Sequence, residues 1–159
     1  MKKENNQHGF TLIEVIVAIV ISGIALTLVS YFFVTFMRTS KEVKAQQQRT
    51  YEQNLIVNYF DGFANRVNLK GIHIQINYEQ GLAYAGDLEE ESTRYETIQI
   101  DNVNKIFTYN DVTLNYSSIV NIQLVEIEGS SKCFSVWITF DDDSTYQFAI
   151  YIIAGIKEE

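Results

Sequence analysis

From Val15 to Met37 the chain runs for 23 residues without a charged side chain. As an α-helix rising about 1.5 Å per residue, that stretch spans about 35 Å, enough to cross a hydrocarbon core of about 30 Å. Such a cylinder has to sit in lipid or in a bundle of similar helices. Extending it back to Phe10 adds one acid, Glu14. A carboxylate at the start of a membrane helix is costly, so it needs a reason. Ahead of it, the short segment from Met1 to Gly9 carries Lys2 and Lys3 and ends in the residue that has no side chain.

An ordinary secretory signal has an apolar region of about 7–15 residues followed by a small-x-small cleavage site. Here the apolar stretch is longer and runs into Arg38-Thr39-Ser40-Lys41 with no Ala-x-Ala. That reading fails. Lys2 and Lys3 favour a cytoplasmic N-terminus, whereas a plain count of Arg38, Lys41, Lys44 and Arg49 on the other flank points the opposite way.

The residues Gly9-Phe10-Thr11-Leu12-Ile13-Glu14, behind a short basic leader and ahead of a long apolar helix, resemble the class III signal of type IV pilins and pseudopilins. The resemblance covers about a quarter of the chain. It implies that a membrane aspartyl prepilin peptidase cuts between Gly9 and Phe10 and methylates the new amine of Phe10. It implies that Lys2 and Lys3 supply the leader charge and that Glu14, the fifth mature residue, guides assembly into a helical filament. It also implies as partners other pilin or pseudopilin subunits, the prepilin peptidase, the cytoplasmic membrane and the platform protein of an assembly machine. The N-terminus is then expected inside, overruling the count of basic residues, and the head outside.

Elementary electrostatics is consistent with that assignment. Cleavage leaves a cationic amine at Phe10, which Glu14 of a neighbouring subunit can meet where water is scarce. Such a pair gains from low dielectric and loses to desolvation, but removing one partner costs on the order of 3–5 kcal/mol. In a lone subunit Glu14 is close enough to the interface to snorkel toward the headgroups. Thr11, Ser22 and Thr27 are candidate interhelical hydrogen-bond donors, although such residues also bond back to their own helix. With no proline in the chain, Gly23 beside Ser22 is the expected soft point of the helix.

The rest of the chain has room for one domain. With 20 acids against 12 bases and a net charge of −8, no direct nucleic-acid binding is expected. Cys133 is the only cysteine, so no internal disulfide is possible. This departs from the disulfide-bearing major pilins; a small disulfide-free head with a C-terminal hairpin resembles instead the minor pilins or pseudopilins of competence and general-secretion systems.

Helical signals continue past the membrane. Arg38 to Thr50 is polar and free of breakers. Tyr51, Leu55, Tyr59, Phe63 and Val67 then recur every fourth residue, with Ile56 and Phe60 in the adjacent row. A single helix from about Phe10 to Lys70, stopped near Gly71, is expected, its second half laying an apolar stripe on a head. Strands are expected where apolar residues alternate: Ile72 to Tyr78, Leu82 to Tyr84, Glu96 to Ile100, Lys105 to Tyr109, Val112 to Tyr116 and Ile119 to Glu128. A last hairpin pairs Phe134–Phe140 with Tyr146–Ile152 around Asp141-Asp142-Asp143-Ser144. Residues 86–94 read as a solvated acidic loop. The fold class is α+β: a long N-terminal helix, membrane-spanning in its first half, packed against an antiparallel β-sheet head. The divisions are 1–9 leader, 10–37 membrane or filament-core helix, 38–70 its continuation and 71–159 head.

Catalytic patterns are thin. No nucleophile elbow, phosphate loop or Cys/His metal spacing is present. His73 reads as a strand histidine on a polar face and Cys133 as a packed thiol. The Asp141–Asp143 run offers oxygen ligands to Ca²⁺, but a hairpin turn needs polar residues anyway and no EF-hand spacing follows. No cofactor, metal or enzymatic activity is expected. The expected function is a pilin-like structural subunit of a type IV pilus or pseudopilus, serving competence, adhesion or motility. The alternatives are a single-pass membrane-anchored receptor or binding module and a minor pseudopilin of a type II secretion system.

Overall fold

The computed structural model describes residues 11–86 and 96–157. The chain divides into two compact units, Met1–Lys44 and Ala45–Glu159. Helix α1, Leu12–Lys70, contributes to both. Within the first unit its apolar side chains are exposed, Leu12 at 80% and Phe36 at 69%. It is long and apolar enough to cross a membrane.

The stop at Gly71 has a specific geometry. Gly71 takes a φ of 63°, which an L side chain adopts only at a cost. Its N–H donates to Asn68 O at 3.2 Å while the N–H of Ile72 donates to Val67 O at 3.3 Å. That pair of bonds is a Schellman cap, and it satisfies two carbonyls that the helix end leaves orphaned.

Among the described residues, nine strands follow: β1 Ile74–Asn77, β2 Leu82–Ala85, β3 Glu96–Asp101, β4 Ile106–Tyr109, β5 Val112–Asn115, β6 Ile119–Glu126, β7 Cys133–Phe140, β8 Thr145–Tyr151 and β9 Ile156–Lys157. They form two sheets, not the one expected. One has the order β5-β4-β3-β2-β1-β9 and the other β6-β7-β8. The break falls at Tyr116-Ser117-Ser118, between β5 and β6. A second correction is that β9 pairs parallel to β1, Ile74 opposite Ile156. A two-residue strand shows no alternation, so periodicity does not reveal it. At the β1–β2 turn Gly81 has a φ of 61°, and a Cβ there would lie 3.1 Å from Ile100 Cβ, which explains why the Gln80-Gly81 turn needs glycine.

Both sheets are tied to α1 through Phe60, whose ring lies 5.7 Å from Phe107 on β4, 6.3 Å from Phe134 on β7 and 5.8 Å from Phe148 on β8. Ile56, Phe63 and Val67 are buried with it. The buried row on α1 is therefore Glu52, Ile56, Phe60, Phe63, Ala64 and Val67, and Tyr51 is 60% exposed. The physical reason lies in the period. A row spaced strictly by four advances about 40° per step on a helix of 3.6 residues per turn, so Tyr51 and Val67 lie about 160° apart.

Candidate functional site

Thr11 stands immediately before the first helical residue, and Glu14 lies in the first turn. Thr11 O accepts from the N–H of Glu14 at 3.1 Å and of Val15 at 3.3 Å. The Glu14 carboxylate reaches back, accepting from the Thr11 N–H at 2.8 Å and from Thr11 Oγ1 at 3.0 Å. Glu14 N–H is 3.4 Å from Thr11 Oγ1. This is a capping box, the Thr-x-x-Glu pattern that satisfies two orphan donors reciprocally. The pattern stands in the letters Thr11-Leu12-Ile13-Glu14, among which Thr11 is also a candidate interhelical donor. Within one chain Thr11 serves Glu14.

Further along the same segment, Thr27 Oγ1 donates to Gly23 O at 2.8 Å and Ser30 Oγ to Leu26 O at 2.8 Å. Thr27 is thus bonded back to its own helix in this conformation. Ala18, Ser22 and Gly23 leave a shallow apolar groove that starts at Glu14 and ends at Leu26. The remaining motif positions, Lys2, Lys3, Gly9 and Phe10, lie outside the described residues, as does most of the acidic loop after Gly86.

The second cluster was not foreseen. Glu52 is 5% exposed and faces the junction between the two sheets. Its Oε1 accepts from Gln48 Nε2 at 2.7 Å, Ser117 N at 2.9 Å and Ser117 Oγ at 2.9 Å. Its Oε2 accepts from Ser118 N at 3.0 Å and Ser118 Oγ at 2.5 Å. Burial alone would raise the pKa of Glu52, but the bonds from Ser118, Gln48 and Ser117 outweigh it and hold the carboxyl at about 2. The signal available in sequence was an acid at the head of the row 52-56-60.

Three further contacts join helix and strands. Asn68 Nδ2 donates to Tyr151 O at 2.9 Å, and the Ile153 N–H donates to Asn68 Oδ1 at 2.8 Å. Arg66 lies over the Tyr109 ring, Cζ 5.1 Å from its centroid, and Tyr109 OH donates to buried Glu96 at 2.5 Å. Burial and then Glu96 push the Tyr109 phenol upward. Arg49 reaches Asp141 at 2.6 Å and Asp142 at 2.5 Å. Two of the turn's three carboxylates, Asp141 and Asp142, are thereby engaged by a guanidinium. Among the described residues no group of three or more acidic, His or Cys side chains is placed to hold a metal ion.

His73 is exposed and precedes β1, so it is not on a strand face as expected. Gln75, expected to face outward, is 8% exposed: β1 is buried at three successive positions, Ile74 to Ile76. Cys133 is half-buried at the start of β7, its Sγ 3.1 Å from Ser130 Oγ.

Against known families, residues 5–30 match the model described as the prokaryotic N-terminal methylation motif. That motif is the one found in the class III signal peptide of type IV pilins. The pilin signal covers the leader and the first part of α1, and it supports a type IV pilin-like or pseudopilin subunit anchored in a membrane. No curated protein and no solved structure matches the chain.

Proposed function

We propose that the chain is a pilin-like structural subunit, cut after Gly9, N-methylated on Phe10, and drawn from the cytoplasmic membrane into a type IV pilus or pseudopilus as a minor component. The observation that carries this reading is the pilin signal over residues 5–30 leading directly into a helix whose first half is apolar and exposed. Its mechanism is assembly, not catalysis. Helices in lipid gain little from the hydrophobic effect, so shape fit and rare polar contacts select the partner. The groove beside Glu14, floored by Ala18, Ser22 and Gly23, supplies close approach. The carboxylate supplies the polar contact, to the Phe10 amine of the neighbouring subunit.

The capping box refines that mechanism. Before assembly, the Thr11 backbone and hydroxyl donate to Glu14, so the carboxylate does not wait unpaired in the membrane. On assembly it turns from Thr11 to the amine of the next subunit. The test is incorporation of Glu14→Ala subunits, processed normally, into filaments alongside wild type. Strong depletion from sheared filaments is the expected result, and wild-type incorporation contradicts the pairing.

A further inference from the structure

We propose that the outer face of the three-stranded sheet is a binding platform for a neutral saccharide, built around Trp137. This inference concerns the head alone and stands apart from processing at Gly9. Trp137 is the only tryptophan in the chain. It lies midway along β7, the central strand of its sheet, on the row that alternates with buried Val136 and Ile138, and is 43% exposed. The indole is not a singly scattered apolar residue: with Val125 and Ala149 it lines one continuous patch on this face, and an apolar patch is the informative kind of exposure.

Its surroundings are arranged for a flat ligand. Trp137 Nε1 donates to Ser135 Oγ at 3.0 Å, so the indole's polar handle is already satisfied and its edge is tethered along the sheet. Directly across the strands stand Gln123 on β6 and Gln147 on β8. Ser135 is opposite Ala149, and these small side chains leave a shallow depression of about 490 Å³ beside the indole, bordered by Val125 and Gln147.

Charge selects among ligand classes. The outward positions of these strands carry amides, hydroxyls, the indole and the apolar Val125 and Ala149; among the described residues that line the depression, Glu126 alone is charged. Among the described lining residues a polyanion meets no cation and a basic peptide meets a single acid. A pyranose ring offers an apolar C–H face to the indole and a rim of hydroxyls, which carboxamides both donate to and accept from. So open a site predicts weak binding, with a Kd of about 1 mM.

The lone tryptophan makes the test direct. The full chain in sugar-free zwitterionic micelles is titrated with chitohexaose, cellohexaose and maltohexaose while its indole emission is followed. A saturable shift with at least one of them is expected, unchanged by added salt. Calorimetry on Trp137→Ala and Gln147→Ala should show the affinity falling by at least about tenfold, with Trp137→Tyr retaining most of it. Gln147 is exposed, so its variant keeps the test valid should Trp137→Ala fail to fold. No response to any of the three up to about 10 mM, binding that survives both alanine changes, or a response only to heparin or to a polylysine peptide overturns the proposal.

Discussion

The carboxylate of Glu14 accepts a 2.8 Å hydrogen bond from the backbone N–H of Thr11, the residue that caps the same helix. The acid that lies within the methylation motif is therefore built into its own helix start. Losing such a cap costs about 1 kcal/mol. Thr11→Val in micelles is expected to speed hydrogen exchange of the Leu12 to Val15 amides by about fivefold. Unchanged exchange would show that the box contributes nothing to the first turn.

Glu52 is the contact on which the head most depends. It holds two successive residues, Ser117 and Ser118, at the point where the chain leaves one sheet for the other. Removing the acceptor strands buried donors, each worth about 1–3 kcal/mol. Glu52→Ala should lower the unfolding free energy of the head by about 3 kcal/mol or more, read by urea denaturation. A loss under about 1 kcal/mol, the usual range for exposed polar contacts, would contradict the role given to it.

The same residue sets an acid dependence. Its pKa is depressed in the folded state, from 4.5 to about 2, so its contribution is fully present above pH 4.5. It is lost as pH falls from there through about 2. Glu52→Gln should flatten the fall in stability across that window while leaving the protein less stable at neutral pH. An identical acid slope in the variant would mean that other carboxylates carry it.

Arg49 offers the opposite case. Its partners Asp141 and Asp142 are about half exposed, 52% and 44%, and exposed ion pairs are worth about 0–1 kcal/mol. Asp141→Asn with Asp142→Asn should therefore cost no more than about 1 kcal/mol per pair and should lose most of that in high salt. A much larger, salt-insensitive cost would mark this turn as a structural anchor comparable to Glu52.

Sequence alone disclosed the features governed by local chemistry and missed those governed by tertiary placement. The apolar run, the Gly71 stop and the Phe134–Phe140 hairpin strand follow from period, backbone freedom and alternation, and they were read with boundaries within a residue or two. Glu52 was missed because a row spaced by four was followed to Tyr51, around the helix and away from the core. Alternation places Gln75 outward, whereas β1 is buried at Ile74, Gln75 and Ile76 in succession, a local covering of both faces that alternation does not reveal. The parallel β9 and the separation into two sheets depend on where the chain returns in space, which no short-range pattern encodes. At the site, the Thr-x-x-Glu box stands in the letters Thr11-Leu12-Ile13-Glu14, inside the same residues that carry the pilin resemblance.

The account's central claim is best tested by weighing the protein. The full chain is expressed with and without a prepilin peptidase and analysed by intact-mass and N-terminal peptide spectrometry. The account predicts that the enzyme removes residues 1–9 and leaves a chain starting at Phe10 that carries one added methyl group on its amine. A chain that keeps its leader in the presence of an active peptidase would contradict it, and would leave α1 as a plain membrane anchor for the head.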